Sequence, residues 1–282
     1  MANTHSPITN DSMEFSFKWF AEESFFKAVN GYLVDLAKVS PGQRIVELAC
    51  GTGTATRLIR DRLQGAKDSL VIGVDSSAVA LREAIHQLGA ARDVALEFIQ
   101  GRVEVLSTMV KDKVDGIIFC NGIHYVSDKE SLLEQIEHTL KDTGTFAFNT
   151  SFFDGAHVIG TESFYRKWMF KAIRSLRAQY GLRPRAHEKV ESRRQLTAIQ
   201  YAQLLESGGF TVKHQTIKAT QVPLDGWVNI SRFEDFVAGA LPGVPLRPAS
   251  ESLQEGARQT FQELGIDAVP RNWLSIVAEK TK

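Results

Sequence analysis

Between Phe15 and Val39, the apolar residues Phe15, Trp19, Phe26, Val29, Leu33 and Leu36 recur mostly at three- and four-residue spacings. This pattern predicts a helix with one apolar stripe, and Ser40-Pro41-Gly42 ends it. Strand-like and helix-like segments then alternate. Strands are expected over Arg44 to Ala49, Leu70 to Asp75, Ala95 to Gln100, Val114 to Asn121 and Thr145 to Thr150, with helices opening at Thr54, Ser77 and Lys129. Such a rhythm implies an α/β fold built on a doubly wound, mostly parallel sheet. The runs VIGVD and GIIFC are almost continuously apolar, as strands are when helices cover both faces of the sheet.

After Thr150 the rhythm breaks. Ser151 to Leu196 is a long aromatic and basic stretch, too long for a simple connection, and reads as a helical insertion. A helix from Ala198 to Glu206, closed by Gly208-Gly209, leads to a strand from Phe210 to Thr220. The segments DGWVNISRFEDFVAGALPG and SLQEGARQTFQELG form a second helical insertion before a final strand, Trp273 to Ala278. The expected organisation is an N-terminal helical segment (1–40), a core (41–150), a helical cap insertion (151–197), a continuation of the core (198–220), a second insertion (221–271) and the last core strand (272–282). The two insertions are placed to form a lid.

Composition narrows the function classes. The chain has 282 residues, 33 basic and 33 acidic, so overall charge singles out no partner. Its length suits one core carrying insertions. Two cysteines, Cys50 and Cys120, make neither a disulfide framework nor a four-thiolate metal site, and the expected setting is a reducing cytoplasm. No segment stays apolar for the ~18 residues of a membrane helix, and no secretory leader is read at the N-terminus. The histidines lack metal-ligand spacing, so no metal is expected.

Candidate chemistry begins where the first strand ends, in Glu47-Leu48-Ala49-Cys50-Gly51-Thr52-Gly53-Thr54. Gly51 and Gly53 allow a tight turn whose amides approach a ligand without an intervening Cβ. A purely structural strand-to-helix turn has the same appearance. Asp75, with Ser76 beside it, ends the second strand at a distance suited to an acid that accepts from ribose hydroxyls, although a helix cap would look alike. A dinucleotide pyrophosphate would need a third glycine where Thr56 stands, and Glu47 would repel it. A cationic ligand suits Glu47 better.

With VELACGTGTATRLI, VIGVDSSAVALREA, IQGRVEVL, DGIIFCNGIHYVSD and LKDTGTFAFNTSFF in this order, the chain resembles the Rossmann-like class I S-adenosylmethionine-dependent methyltransferases from about Phe15 to Thr150 and in the last strands. The resemblance implies that S-adenosylmethionine is the cofactor, held at its methionine end by Glu47, Ala49, Gly51 and Gly53 and at its ribose by Asp75. It further implies adenine contacts from Gly101, Arg102 and Val103, and places Asn121 near the sulfonium. Two departures stand out. Ala49 replaces a frequent glycine, which is harmless if its φ is negative. Arg102 replaces a common acid and has no acceptor to offer adenine, which leaves Glu104 as the substitute.

Methyl transfer needs alignment, exclusion of water and sometimes a base. His124, after the fourth strand, is a candidate base or acceptor-orienting group, and a packed structural histidine is the competing reading. Tyr125, Phe153, Tyr165, Trp168, Met169 and Trp227 are candidate acceptor contacts, with Phe152, Phe164, Phe170, Phe233 and Phe236 as further aromatics. The expected acceptor is a small, largely apolar metabolite of lipid or polyketide type. Between Arg166 and Arg194 there are ten Lys or Arg and two acids, a local excess that would suit an anionic acceptor or an acyl carrier protein, or would pair with the acidic remainder of the molecule. Rival readings are a nucleic-acid methyltransferase, which would need a broad basic surface, and a non-catalytic cofactor-binding protein.

Overall fold

The structure is a computed structural model and describes residues 14–89, 94–185 and 195–281. Seven strands form one sheet in the order β3-β2-β1-β4-β5-β7-β6: β1 Arg44–Leu48, β2 Leu70–Asp75, β3 Ala95–Gln100, β4 Val114–Cys120, β5 Leu140–Thr150, β6 Phe210–Pro223 and β7 Ala268–Lys280. β1 to β5 pair in parallel, and β7 enters antiparallel between β5 and β6. The strand order reverses at β1 and β4, where the crevice outside the carboxyl ends of an open sheet receives ligands.

The pleat explains the two faces. Val46, Ile117, Phe146 and Phe148 join one core cluster, whereas their chain neighbours Ile45, Ile118 and Ala147 join another. The first cluster is covered by α6 (Lys129–Thr139) and α8 (Ala198–Ser207), through Leu132, Ile136, Tyr201 and Leu205. The second is covered by α2 (Ser24–Leu36) and α3 (Thr54–Leu63), through Leu33, Val34, Ile59 and Leu63. Helix α4 (Ala78–Leu88) follows β2, and a short helix α5 (Leu106–Met109) precedes β4.

The expected N-terminal helix is divided into α1 (Lys18–Ala21) and α2, with Glu23 extended between them. A straight helix would spread Phe17, Phe20 and Phe26 around its axis. The break brings them together, with ring centroids 5.0–5.4 Å apart. Trp19, expected on the buried stripe, is instead 42% exposed, with Arg232 over its ring.

β6 and β7 extend beyond their expected limits because they pair along almost their whole length, from Phe210 with Lys280 to Pro223 with Ala268. The insertions contribute α7 (Glu162–Tyr180) and, after β6, α9 (Leu224–Ile230), α10 (Glu234–Ala240) and α11 (Leu246–Leu264). Helices α7 and α11 cross at Gly256, where an added Cβ would lie 2.7 Å from the Ala172 nitrogen and 2.9 Å from the Trp168 carbonyl oxygen. Phe164, Trp168, Trp227, Leu253 and Phe261 form a third cluster here, together with Phe20 and Phe26. Among the described residues, no helix is long and apolar enough to cross a membrane.

Candidate functional site

The carboxyl ends of β1, β2 and β4 meet around the glycine turn. Glu47 lies inside the sheet at 1% exposure and accepts a hydrogen bond from the Thr56 hydroxyl at 2.5 Å. Burial pushes its carboxyl up to about 8, against the lowering effect of that hydrogen bond. Thr56, which sequence reasoning treated as a missing glycine, is therefore the partner of the buried acid. In the turn, Gly51 and Gly53 have φ of 56° and 85°. Ala49 also has positive φ, at 51°, contrary to the expectation of an unstrained alanine. A Cβ in this left-handed region costs about 1 kcal/mol or more.

Asp75 ties the turn to β2. Its Oδ2 accepts from the Gly51 amide and its Oδ1 from the Ser77 amide, both at 2.8 Å. Each carboxylate oxygen keeps a further lone pair, so these bonds position the group without exhausting it. Ser76 is exposed, and the cap of α4 is the Ser77 side chain, which accepts from the Ala80 amide. Beyond β3, the Gly101 amide donates to the Asp75 carbonyl at 2.9 Å. Arg102 turns toward solvent and pairs with Glu104 at 2.8 Å, and this contact holds the Glu104 carboxyl below its usual range. Val103 begins a short 3-10 turn, Val103–Val105.

Asn121 follows β4 with φ 49° and is buried. Its amide donates to Asn149 Oδ1 at 2.8 Å, and its own Oδ1 accepts from the Ser151 amide at 2.9 Å. Asn149 Nδ2 donates to Asn30 Oδ1 at 3.0 Å, which links the edge of the sheet to α2. Asn30 gave no motif signal, and Asn149 and Ser151 lie in the run LKDTGTFAFNTSFF without having been singled out as site residues.

His124 is buried and stacks on Phe152, with centroids 4.4 Å apart. The Thr150 hydroxyl lies 3.0 Å from Nδ1 and already accepts from the Phe152 amide, so its proton is free to go to Nδ1. With the Thr150 proton on Nδ1 the imidazole carries its own proton on Nε2, and in the other tautomer Nδ1–H donates to Thr150; Nε2 is buried with no partner among the described residues. Burial, then the charges of Lys129 and Arg271, lower the imidazole to about 3, so it is neutral near pH 7. A neutral ring donates from Nε2 in one tautomer and accepts there in the other.

Above this edge lies a cavity of about 200 Å³ whose lining includes Tyr165, Trp168, Met169 and Trp227 from the insertions, Phe152 from the segment after β5, and Arg271 from β7. Phe153 does not line it. That ring is buried in the first core cluster, because successive side chains of an extended segment point to opposite sides and Phe152 takes the cavity side. Tyr125 is also outside the lining and packs against His124 and Phe233. Arg271 was not anticipated, although a lone arginine beside the apolar run Trp273 to Ala278 was a usable signal.

The turn fits the cationic amino-acid end of S-adenosylmethionine. Glu47 is a buried carboxylate with no cation beside it among the described residues, a Cβ on Gly51 would meet nothing within 4 Å, and the Thr52 hydroxyl is buried without a partner.

Comparison with known proteins agrees with this geometry. A family model described as a methyltransferase domain matches residues 39–203. The chain is similar to the ubiquinone/menaquinone biosynthesis C-methyltransferase UbiE of Stenotrophomonas maltophilia, with 29% identity over 42% of this chain and 46% of that protein. It is similar to the trans-aconitate 2-methyltransferase of Paracidovorax citrulli, with 31% identity over 40% of this chain and 41% of that one. The chain thus spans less than half the length of these curated relatives. Among solved structures, loganic acid methyltransferase with SAH shares the fold, with a TM-score of 0.64 and 11% identity over 96% of this chain and 95% of that one. The family match covers more than half of the residues, and the ordered strand-end motifs stand at the carboxyl edge as that fold requires; the chain belongs to the class I, S-adenosylmethionine-dependent methyltransferase-domain family.

Proposed function

We propose that the chain transfers the methyl group of S-adenosylmethionine to a small, largely apolar metabolite held in the cavity beneath the two helical insertions. The observation that carries this reading is the meeting of two different environments along one segment. Asn121 is joined through Ser151 to Phe152, so the acid-lined cofactor turn and the aromatic cavity share one wall. Bound S-adenosylmethionine supplies a methyl group on a cationic sulfur, an electrophile that needs no further activation. The chain's own residues align and exclude water. Glu47 and Asp75 hold the two ends of the cofactor, and the aromatic rings of α7 and α9 cover the acceptor. His124 does not line the cavity and acts through its stack on Phe152, which orients that wall toward the acceptor, and solvent carries the proton away where one is released.

Two relatives, a ubiquinone/menaquinone biosynthesis C-methyltransferase and a trans-aconitate 2-methyltransferase, support a small-molecule acceptor. Lipid and polyketide-type acceptors, free or bound to an acyl carrier protein, match the apolar lining. The reading is tested by a tritiated-methyl transfer screen over fatty acids, polyketides, phenols and RNA. Label in a small-molecule class supports it. Label in RNA alone, or none in any class despite S-adenosylhomocysteine binding, rejects it in favour of a nucleic-acid or non-catalytic role.

A further inference from the structure

Arg271 is 9% exposed and borders the aromatic cavity, yet no carboxylate among the described residues pairs with it. Its Nε and Nη2 donate to the Ser151 carbonyl oxygen at 3.1 and 2.5 Å, and its Nη1 contacts the Tyr165 hydroxyl at 3.2 Å. A guanidinium has five N–H donors, so these three contacts leave two. The Phe152 ring, 5.2 Å from the guanidinium carbon, offers its π face but no counter-charge. A buried cation without an anion is costly unless a ligand supplies one.

A second unused donor borders the same space. Trp273 is buried and lines the cavity, and its Nε1–H has no partner among the described residues. The other two cavity tryptophans are satisfied, since Trp168 donates to the Leu253 carbonyl at 2.8 Å and Trp227 to the Val222 carbonyl at 3.2 Å. His157 is stacked on Tyr165 at 4.1 Å and lines the cavity too.

We propose that Arg271 is the docking point for a carboxylate on the methyl acceptor, whose apolar part lies against Trp168, Trp227 and Phe236. This rests on the methyl-transfer reading for the name acceptor, but not for the anion site itself. A carboxylate suits two remaining donors of a planar fork held in place by Ser151 and Tyr165. The exposed cations of α7 are not the site. Arg174 and Arg177 face solvent, Lys167 and Lys171 pair with Glu263, and Lys189, Arg193 and Arg194 lie outside the described residues.

The test uses two matched probe pairs, phenylacetate with phenylacetamide and octanoate with octanamide, measured by calorimetry and by tryptophan fluorescence with and without S-adenosylhomocysteine. The acid is expected to bind about tenfold tighter than its amide. Arg271→Gln should abolish that preference while S-adenosylhomocysteine affinity is kept, and Arg271→Lys should retain part of it. An amide as tight as its acid, no acid binding at millimolar concentration, or an undiminished preference in Arg271→Gln overturns the proposal. Should Arg271→Gln not fold, the wild-type acid and amide comparison and Arg271→Lys still decide. Failure of the wild type to bind S-adenosylhomocysteine would count against the methyl-transfer reading alone, since the probe comparison without it still decides the anion site.

Discussion

At the residue scale, the proposed place of Glu47 beside the cofactor's ammonium would couple binding to a proton. Burial keeps its carboxyl up to about 8, so it is mostly neutral at pH 7. An ammonium placed beside it favours the ionised form, so binding of S-adenosylmethionine at pH 7 should release close to one proton. Calorimetry in buffers of different ionisation enthalpy should show this release in the wild type and its loss in Glu47→Gln. Asp75→Ala removes the bonds that hold the turn and the acceptors proposed for ribose; S-adenosylhomocysteine should bind about tenfold or more weaker, and unchanged affinity would remove Asp75 from the site. Ala49→Gly relieves the Cβ contact at φ 51° and should raise unfolding stability by about 1 kcal/mol with binding retained. His124→Phe keeps the stack on Phe152 but removes both ring nitrogens. If the imidazole orients the acceptor, kcat falls by about tenfold or more with cofactor affinity held; if His124 only packs, specific activity is preserved.

At the scale of elements, the α7–α11 crossing joins helices of two separate insertions, from Tyr180 to Leu246 at the nearest in sequence, and its closeness rests on Gly256. Gly256→Leu should force the helices apart and cost about 1 to 3 kcal/mol in denaturant unfolding, because the atoms a side chain would meet are backbone and cannot swing away. The outer face of α7 is a separate matter. Phe170 is 67% exposed there, flanked by the exposed Arg166, Arg174 and Arg177, and a carrier-bound acceptor, if the chain uses one, would meet these cations. Replacing Arg174 and Arg177 by Gln should raise the KM for a carrier-bound acceptor and flatten its salt dependence, while the KM for the free acceptor stays constant. Identical kinetics at every ionic strength would leave those cations as a solvated face.

Across the whole molecule, two buried groups set opposite slopes of stability with pH. His124 has a folded value near 3, below its ordinary 6.5, so the stability it contributes is present above 6.5 and is lost as pH falls toward 3. Glu47 has a folded value near 8, above its ordinary 4.5, so its contribution is present below 4.5 and is lost as pH rises through 8. From about 4.5 to 6.5 the two slopes cancel. The cofactor-free protein should therefore show a stability plateau there, falling on both sides, by thermal or denaturant unfolding. Glu47→Gln should remove the alkaline fall and leave the acidic one. Saturating S-adenosylmethionine should flatten the same alkaline slope and raise the melting temperature by mass action.

The periodicity of the sequence alone determined the sheet, the helices that cover it and the cofactor turn. Apolar periodicity and turn residues mark these elements one by one along the chain: the apolar runs of β1, β2 and β4, the glycines at positions 51 and 53, and the acid that ends β2. The same locality exposed Glu47 as a residue suited to a cation. Tertiary structure alone decided which aromatic ring faces the cavity, since Phe152 and Phe153 are adjacent and chemically identical and only the direction of the chain after β5 separates them. It also decided that Thr56 serves Glu47, that Ala49 sits at positive φ, and that the unpaired cation of the cavity is Arg271. Arg271 lies 120 residues from the Ser151 carbonyl it binds, and no local spacing records a contact made by the closure of β7 against β5. Charge counted along the chain pointed to α7, whereas burial, which removes competing water, singles out the arginine of β7.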